Sequence, residues 1–315
     1  MTTNHHTVLP LVIEDDSYDF ELINPRALFR DFRILASERY FERGLIEQYY
    51  YQKIYQLIWA SNAIENVGEN LETTVDICSI VFEGRETNGK IQHCSSLKGY
   101  REVINHAKAA AYILSTISNN TDLSEDIILK THEILTTDID MEDGTPSTDY
   151  SGKYRRCPIR AGLHQFMHEK RVPSAMKEMI RGYEADTKKA IENRGMDPIA
   201  LAAKYSHIFV NIHPFEDGNG RMSRLILNAI LFKFTCCLVA FGQNEVDREQ
   251  YRHIVADASL KEQLYELIDF EDVPEHLKPK SWRSLTSFTL KHALETMQEM
   301  QQLGRGTKET PPTEP

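Results

Sequence analysis

The stretch His213-Pro-Phe-Glu-Asp-Gly-Asn-Gly-Arg-Met-Ser-Arg224 gathers side-chain types that can act together on a phosphorylated substrate. His213 can serve as a general base near neutral pH and accept a proton from a hydroxyl group. Asp217 offers a hard carboxylate oxygen, the kind of ligand that Mg²⁺ takes when it arrives with substrate phosphates. Arg221 and Arg224 share one helical face and can both reach phosphate oxygens. These residue types predict the transfer of a phosphorus-containing group.

A Gly218-Asn219-Gly220 turn lies between the candidate base and the two arginines. Glycine and asparagine tolerate left-handed backbone, so this segment is predicted to turn the chain ahead of a new helix. The first backbone N–H groups of a helix point outward, with the positive end of the helix dipole behind them. The turn is therefore predicted to bind phosphate.

Two apolar helices are predicted to hold this stretch in place. Asp197-Pro198 is a helix-start pattern, and the apolar positions that follow keep helical spacing up to Ile212. Pro214 disfavours helical backbone at the preceding residue, so the first helix should end at His213. The apolar run from Leu225 to Leu231 predicts a second, largely buried helix.

The same twelve residues match the motif HPFx(D/E)GNGRxxR at every specified position, and the chain thereby resembles the Fic family. The resemblance implies that His213 is the general base, that Asp217 holds a Mg²⁺ cofactor and that ATP is the substrate. It implies that Gly220 favours AMP transfer, since relatives with lysine there phosphorylate instead. Tyr251 is implied as a wall at the adenine end, with a packing tyrosine as the alternative. The implied phosphate-binding set is Gly218, Asn219, Gly220, Arg221 and Arg224.

A second short motif lies upstream, at the end of an aromatic-rich helical segment. The residues Ser61-Asn62-Ala63-Ile64-Glu65-Asn66 resemble the family's inhibitory motif (S/T)xxxE(G/N). The motif residues Ser61 and Glu65 are one turn apart and share a helical face. The resemblance implies that Glu65 pairs with Arg224 and inhibits the enzyme, with Asn66 completing the motif. Composition alone would make Glu65 a solvated residue at a helix end.

Repeated glycine and proline break the helical pattern between Gly144 and Pro173, and a β-hairpin is predicted near residues 157–168. The hairpin follows Gly152-Lys153-Tyr154-Arg155, which resembles the Gly-x-(Phe/Tyr)-Arg stretch before the Fic flap. The resemblance implies that an extended piece of a target protein adds to the flap as a strand. A surface loop is the plain alternative. The implied target-docking residues are Ile159, Arg160, Ala161 and Gly162.

Composition is that of an ordinary acidic globular protein, with 41% hydrophobic residues, 26% charged residues and a net charge of −11. This charge argues against a nucleic-acid partner, and the apolar runs are too short to span a membrane. Five cysteines, an odd number without metal-ligand spacing, fit a reducing compartment. Because the N-terminal residues lack a secretory pattern, we expect a cytoplasmic protein.

Helical periodicity over most of the chain predicts an all-α, mainly helical fold. The resemblance makes this a Fic-fold helical bundle with a small β-hairpin flap. The tail is rich in Gly, Thr, Pro and Glu, which favours disorder. The predicted parts are an N-terminal arm with a helical extension (1–44), an inhibitory helix (45–70), a Fic core (71–240), a C-terminal helical extension (241–303) and a disordered tail (304–315).

The predicted function is that of a protein adenylyltransferase, which moves AMP from ATP to a Ser, Thr or Tyr hydroxyl of a target protein or of the chain itself. One alternative is an enzyme that uses Glu65 to remove AMP, alone or alongside transfer. Another is a catalytically silent binding module whose nucleotide site tunes partner binding. A third is a hydrolase metal site built from His207, His213 and Asp217. Resemblance to Fic proteins also suggests a homodimer.

Overall fold

The computed structural model describes residues 9–37, 43–85, 94–118, 121–161, 164–266, 268, 273–274 and 278–306. These residues are mainly helical, which confirms the predicted fold class. The helices are α1 (Pro25–Ser37), α2 (Arg43–Ile64), α3 (Leu71–Phe82), α4 (Leu97–Ser118), α5 (Glu125–Thr136), α6 (Ser147–Tyr150), α7 (Val172–Glu192), α8 (Pro198–Ile212), α9 (Asn219–Thr235), α10 (Glu245–Glu266) and α11 (Arg283–Gly306).

The α8–α9 hairpin lies at the centre of the fold. Every residue of α9 from Arg221 to Leu231 is buried, so this helix is covered on all sides. Helix α4 packs against α9, while α7 and α11 pack against α8. The chemistry-bearing loop at residues 213–218 joins these two helices. It is therefore supported by the most enclosed part of the molecule.

Helix α8 begins at a buried cap. The Asp197 carboxylate accepts hydrogen bonds from the N–H groups of Ile199 at 3.1 Å and Ala200 at 3.0 Å. Tyr18 donates its hydroxyl to the same carboxylate at 3.0 Å. Leu11 forms an isolated parallel bridge to the residue before Asp197. Residues 9–18 are thus tied to the start of α8, and residues 1–8 lie outside the described residues.

Replacing Asp197 with alanine is expected to lower the free energy of unfolding by about 2–4 kcal/mol, because it removes a helix cap and leaves a buried tyrosine hydroxyl without an acceptor. Urea titration followed by circular dichroism measures this loss. Tyr18→Phe is the matched control, since it keeps the cap and should cost about 1 kcal/mol. Equal losses in the two variants would show that the cap contributes nothing.

The predicted hairpin is present in a shorter form. Strands β1 (Arg160–Ala161) and β2 (His164–Gln165) pair antiparallel, with Arg160 opposite Gln165. A further backbone bond joins the Phe166 N–H to the Ile159 carbonyl at 3.3 Å. Of the predicted docking residues, Gly162 lies outside the described residues.

The last helix continues beyond its predicted end. Helix α11 extends to Gly306, so the first three residues of the predicted disordered tail are helical. Residues 307–315, the remainder of that tail, lie outside the described residues. Among the helices that are described, none combines the length and apolar character needed to cross a membrane.

Candidate active site

His213 ends helix α8 in a left-handed conformation, with φ 50° and ψ 61°. The helix therefore ends at the predicted residue. Pro214 was expected to exclude helical backbone at His213, and His213 adopts a left-handed rather than an extended conformation. A carbonyl can only accept, so the 3.1 Å contact between His213 Nδ1 and the Val210 oxygen assigns the ring proton to Nδ1. Nε2 then carries the lone pair, as a general base requires.

Phe166, which follows β2, stacks on the His213 imidazole. The two ring centroids are 3.7 Å apart and the rings are inclined by 17°. This contact places a residue of the hairpin directly against the candidate base. Phe166 was not among the predicted site residues, because it is far from His213 in the chain and no local pattern links the two.

The turn before α9 contains one left-handed residue. Gly218 has φ 76°, whereas the next two residues already belong to the first turn of α9. No described side chain caps this helix end, so its positive terminus and first N–H groups remain suited to an anion. The Asn219 amide donates to the Phe215 carbonyl at 2.8 Å and accepts the Phe215 N–H at 3.0 Å. Both polar atoms of this amide are thus already bonded within the loop. The predicted contact between Asn219 and phosphate stays a prediction.

The backbone of Asp217 is held from behind by His132. The histidine Nε2 donates to the Asp217 carbonyl at 3.0 Å, and Nδ1 accepts the Gly152 N–H at 3.0 Å. Its ring stacks on Phe215 with centroids 3.6 Å apart. Burial lowers the pKa of His132 to about 4, so the ring is neutral near pH 7. His132 is thus a buried histidine with both ring nitrogens hydrogen-bonded, and it anchors the loop.

The donor set fits magnesium and does not fit a hydrolase metal centre. The Asp217 side chain is 49% exposed, so its carboxylate is accessible beside the phosphate-binding turn. Mg²⁺ is commonly held by one or two carboxylates together with substrate phosphates. Among the described residues, no three His, Cys, Asp or Glu side chains form a metal-binding group. His207 instead bonds to Ser281 at 2.8 Å and faces Glu262 at 3.3 Å, so the alternative hydrolase site was wrong.

Arg221 is buried and forms an ion pair with Glu102 of α4. A second contact joins its Nη2 to the Asp217 carboxylate at 3.2 Å. Burial alone would lower the pKa of Arg221, but Glu102 and Asp217 raise it overall. The predicted phosphate contact of Arg221 stays a prediction, since these carboxylates already engage its guanidinium. Glu102 was not among the predicted site residues, although its spacing of one turn from His106 on the buried face of α4 is a usable signal.

Arg224 contacts the predicted inhibitory motif directly. Its Nη2 lies 2.7 Å from the Glu65 carboxylate, and its Nε donates to the Ser61 hydroxyl at 2.7 Å. The guanidinium also lies 5.6 Å from the centroid of the Tyr251 ring. Asn66 adopts φ 57°, which explains why glycine or asparagine suits the last motif position. The two motifs therefore meet in space.

Gly220 makes room for Glu65. A Cβ atom built at Gly220 would collide with the Glu65 carboxylate and would lie 3.3 Å from Arg224 Nη1. Any larger residue would push this carboxylate away from the start of α9. Besides its predicted effect on the choice of reaction, the glycine is thus a condition for the contact between Glu65 and Arg224.

One cavity of about 480 Å³ is lined by five of the predicted residues. Its walls include residues from the end of α2, the α8–α9 loop, α9 and α10, together with Phe166 of the hairpin. Tyr251 is 5% exposed and stacks on Phe241 with centroids 5.2 Å apart, so it both packs and forms a wall. The predicted residues that line the cavity are Glu65, His213, Gly220, Arg224 and Tyr251.

His106 is fully buried and joins α4 to α2. Its Nδ1 lies 2.7 Å from the Asn62 side-chain oxygen. Burial, followed by the charges of Arg221 and Arg224, holds the pKa of His106 well below its usual value. The folded state therefore opposes a proton that the unfolded chain accepts below about pH 6.5. The resulting stabilisation is present above that pH and is lost on acidification, by up to about 1.4 kcal/mol per pH unit.

Replacing His106 with asparagine is expected to flatten this pH dependence, because the amide nitrogen lies near the position of Nδ1, keeps a donor for Asn62 and does not titrate. The measurement is the difference in unfolding free energy between the wild-type chain and the variant at pH 7 and pH 5. Taking this difference cancels the pH-dependent contributions of other groups to the unfolding free energy. Asp197 is the main one: burial raises its pKa to about 7, so its contribution to stability changes with pH in the opposite direction. A difference that does not change with pH would contradict the role given to His106.

This chain is similar to several known proteins. Residues 122–231 match the model of the Fic/DOC family. The protein adenylyltransferase Fic of Nematostella vectensis is 29% identical over 263 residues, covering 81% of this chain and 54% of the relative. A Fido domain-containing protein of Dictyostelium discoideum is 38% identical over 85 residues, covering 26% of this chain and 55% of the relative. The chain thus spans about half the length of these curated relatives.

Solved structures share the fold. A Fic domain-containing signalling protein of Bacteroides thetaiotaomicron has a TM-score of 0.67 at 18% identity, covering 89% of this chain and 96% of the other. Fic-1 from C. elegans has a TM-score of 0.67 at 20% identity, covering 90% and 73%. The motif, the helical architecture and the family match coincide on the α8–α9 loop, and residues 122–231 are therefore a Fic/DOC family domain.

Proposed function

We propose that this protein is an adenylyltransferase that moves AMP from ATP to a Ser, Thr or Tyr hydroxyl of a target protein. The observation that carries the proposal is one cavity of about 480 Å³ that brings His213, Gly220 and Arg224 together at the start of α9. This volume is within the range of small-molecule sites. The name of the Nematostella relative, protein adenylyltransferase, supports the same reaction class.

In this proposal His213 is the general base. Its Nε2 takes the proton of the acceptor hydroxyl, while Nδ1 stays bonded to the Val210 carbonyl. The hydroxyl oxygen forms a bond to the α-phosphorus, the bond from that phosphorus to the bridging oxygen breaks, and pyrophosphate leaves. The start of α9 and Arg224 supply positive charge for the phosphates. Mg²⁺ held by Asp217 would neutralise part of the phosphate charge.

The same geometry supports a self-inhibited state. Glu65 engages the Arg224 guanidinium at 2.7 Å and occupies the space that Gly220 leaves beside the helix start. An incoming triphosphate would have to displace this carboxylate before Arg224 becomes available to it. We therefore propose weak basal transfer, with Glu65 as the inhibitory residue and Ser61 as its support on α2.

The hairpin is the proposed docking element for the target. Its strands pair only with each other among the described residues, so backbone groups on their outer edges are suited to strand addition. Phe166 connects the hairpin to the candidate base through its ring contact with His213. An extended target segment along Ile159 and Arg160 would thus be held close to that base.

Position-specific labelling of ATP tests the reaction class. A Glu65→Gly chain is incubated with Mg²⁺ and with ATP labelled at either the α- or the γ-phosphate, and protein-bound label is counted. We expect covalent label from the α-position alone. Label from the γ-position would show phosphorylation and overturn the proposal. Bound nucleotide without covalent label from either position would favour the silent binding module.

Removal of AMP is a second candidate function, because Glu65 and His213 line the same cavity. A carboxylate placed there can orient a water molecule toward a phosphate ester. Mixing the wild-type chain with AMP-modified Glu65→Gly chain would then release AMP. If a Glu65→Gln chain releases AMP equally well, Glu65 has no part in removal.

A further inference from the structure

Arg155 is buried between the hairpin and the α8–α9 loop, and it is 2% exposed. Its three guanidinium nitrogen atoms donate to three backbone carbonyls, and its backbone N–H donates to a fourth. Within the described residues, no carboxylate forms an ion pair with this guanidinium, and burial lowers its pKa. Burying a charge without a direct ion pair is costly, so the hydrogen bonds to backbone carbonyls are the direct contacts that hold the Arg155 guanidinium in place.

On the catalytic side, Arg155 holds two consecutive carbonyls of the loop. Its Nε donates to the His213 carbonyl at 2.7 Å, and its backbone N–H donates to the Pro214 carbonyl at 2.9 Å. His213 has the left-handed conformation that L side chains rarely adopt. These bonds fix the backbone of the base at the point where its conformation is least favourable.

On the hairpin side, the same guanidinium holds both ends of the flap. Its Nη1 donates to the Cys157 carbonyl at 3.0 Å, before β1, and its Nη2 donates to the Met167 carbonyl at 2.6 Å, after β2. Phe166 precedes Met167 and stacks on the His213 imidazole. The contacts close a ring that joins Arg155, Met167, Phe166 and His213.

We propose that Arg155 is a positioning residue that holds the flap and the His213 imidazole in fixed register. An acceptor hydroxyl delivered along the flap then meets Nε2 of the base at reaction distance. This inference rests on the adenylyltransferase function proposed above. It assigns a role to the arginine of the Gly-x-Tyr-Arg stretch, and it predicts that loss of Arg155 affects the chemical step and leaves nucleotide affinity unchanged.

Kinetics in the Glu65→Gly chain test the inference first. Arg155→Met is expected to slow self-modification about 100-fold, the effect of misplacing reacting groups by about 1 Å. Arg155→Lys keeps the charge, but its single nitrogen atom cannot reach all three carbonyls. A smaller loss of about tenfold is therefore expected. Arg156→Met is the matched control, because Arg156 is exposed, and its rate should not change. Nucleotide affinity, measured by calorimetry, should stay within about twofold in all three variants, since Arg155 acts on the flap and the base.

A spectroscopic measurement separates this inference from the function on which it rests. In ¹⁵N-histidine-labelled protein, the His213 ring protons should carry the ring-current shift of the stacked Phe166, and a His213→Ala chain assigns them. Arg155→Lys and Arg155→Met should reduce this shift as Phe166→Leu does, while Arg156→Met should preserve it. Thermal unfolding of each variant identifies any that fails to fold. If Arg155→Met fails to fold, the comparison is made with Arg155→Lys.

Each outcome decides one claim. Unchanged His213 resonances in the Arg155 variants would overturn the positioning role, and so would changed resonances with an unchanged rate of self-modification. Absence of AMP transfer in the parent Glu65→Gly chain would overturn the proposed function. In that case, the His213 resonances would still show whether Arg155 holds the imidazole.

Discussion

Replacing Glu65 with glycine is expected to raise self-modification about 10- to 100-fold, the factor that corresponds to removing a charged hydrogen bond worth about 1.5–3 kcal/mol. The substitution removes the carboxylate that engages Arg224 at 2.7 Å and opens the space beside Gly220. Intact-mass analysis after incubation with ATP and Mg²⁺ should show the addition of one AMP. The wild-type chain should show little of this product under the same conditions.

The end of α2 should keep its place in this variant. Ser61 still accepts from Arg224 Nε, Asn62 still pairs with His106, and Arg252 still donates to the Ile64 carbonyl at 2.7 Å. Glu65→Gln is the matched control, because it keeps the volume of the side chain and removes its charge. An activity between those of wild type and Glu65→Gly would separate charge from crowding. An unchanged AMP content in Glu65→Gly, with nucleotide still bound, would contradict the inhibitory role.

Replacing His213 is expected to lower AMP transfer by about 10²–10⁴-fold in the Glu65→Gly chain, because general-base catalysis contributes about that factor. The left-handed backbone of His213 affects the choice of variant. Alanine disfavours this conformation, whereas asparagine tolerates it and lacks the base. His213→Asn therefore removes the chemistry with less disturbance of the loop than His213→Ala. Label transferred from α-labelled ATP measures the loss.

The control for this prediction is His253→Ala, since His253 is an exposed histidine of α10. Its transfer rate should match that of the parent chain. Nucleotide affinity should be retained in His213→Asn, because the proposed phosphate contacts come from the backbone at the start of α9 and from the Arg224 side chain. Transfer at the parent rate in both His213 variants would refute the assignment of the base, and another group would then have to accept the proton.

Local chemistry in the chain was sufficient to predict the elements that carry the site. The Asp197 cap followed by proline marks the start of α8, and Pro214 marks its end, because caps and proline act on neighbouring residues. The glycine before α9 and the breakers around the hairpin are similarly local signals. The mixed set of a base, a carboxylate, a turn and two arginines indicated phosphate chemistry before any fold was known.

The contacts between side chains of different elements could not be predicted from such local signals. Glu102 meets Arg221, Arg155 meets His213, and Phe166 stacks on His213 across separate elements. Such contacts depend on which helix faces pack together, and sequence periodicity shows a buried face without showing its neighbour. The contact between Glu65 and Arg224 was expected solely through a family motif, since composition alone favoured a solvated glutamate.

The side chains proposed to act on phosphate lie within twelve consecutive residues, from His213 to Arg224. Their working state depends on residues that lie far away in the chain. Glu65 comes from α2, Arg155 from the start of the flap and Glu102 from α4, and packing of these elements around the α8–α9 hairpin brings them to the loop. Long-range packing therefore sets which carboxylate holds each arginine and how the base is oriented.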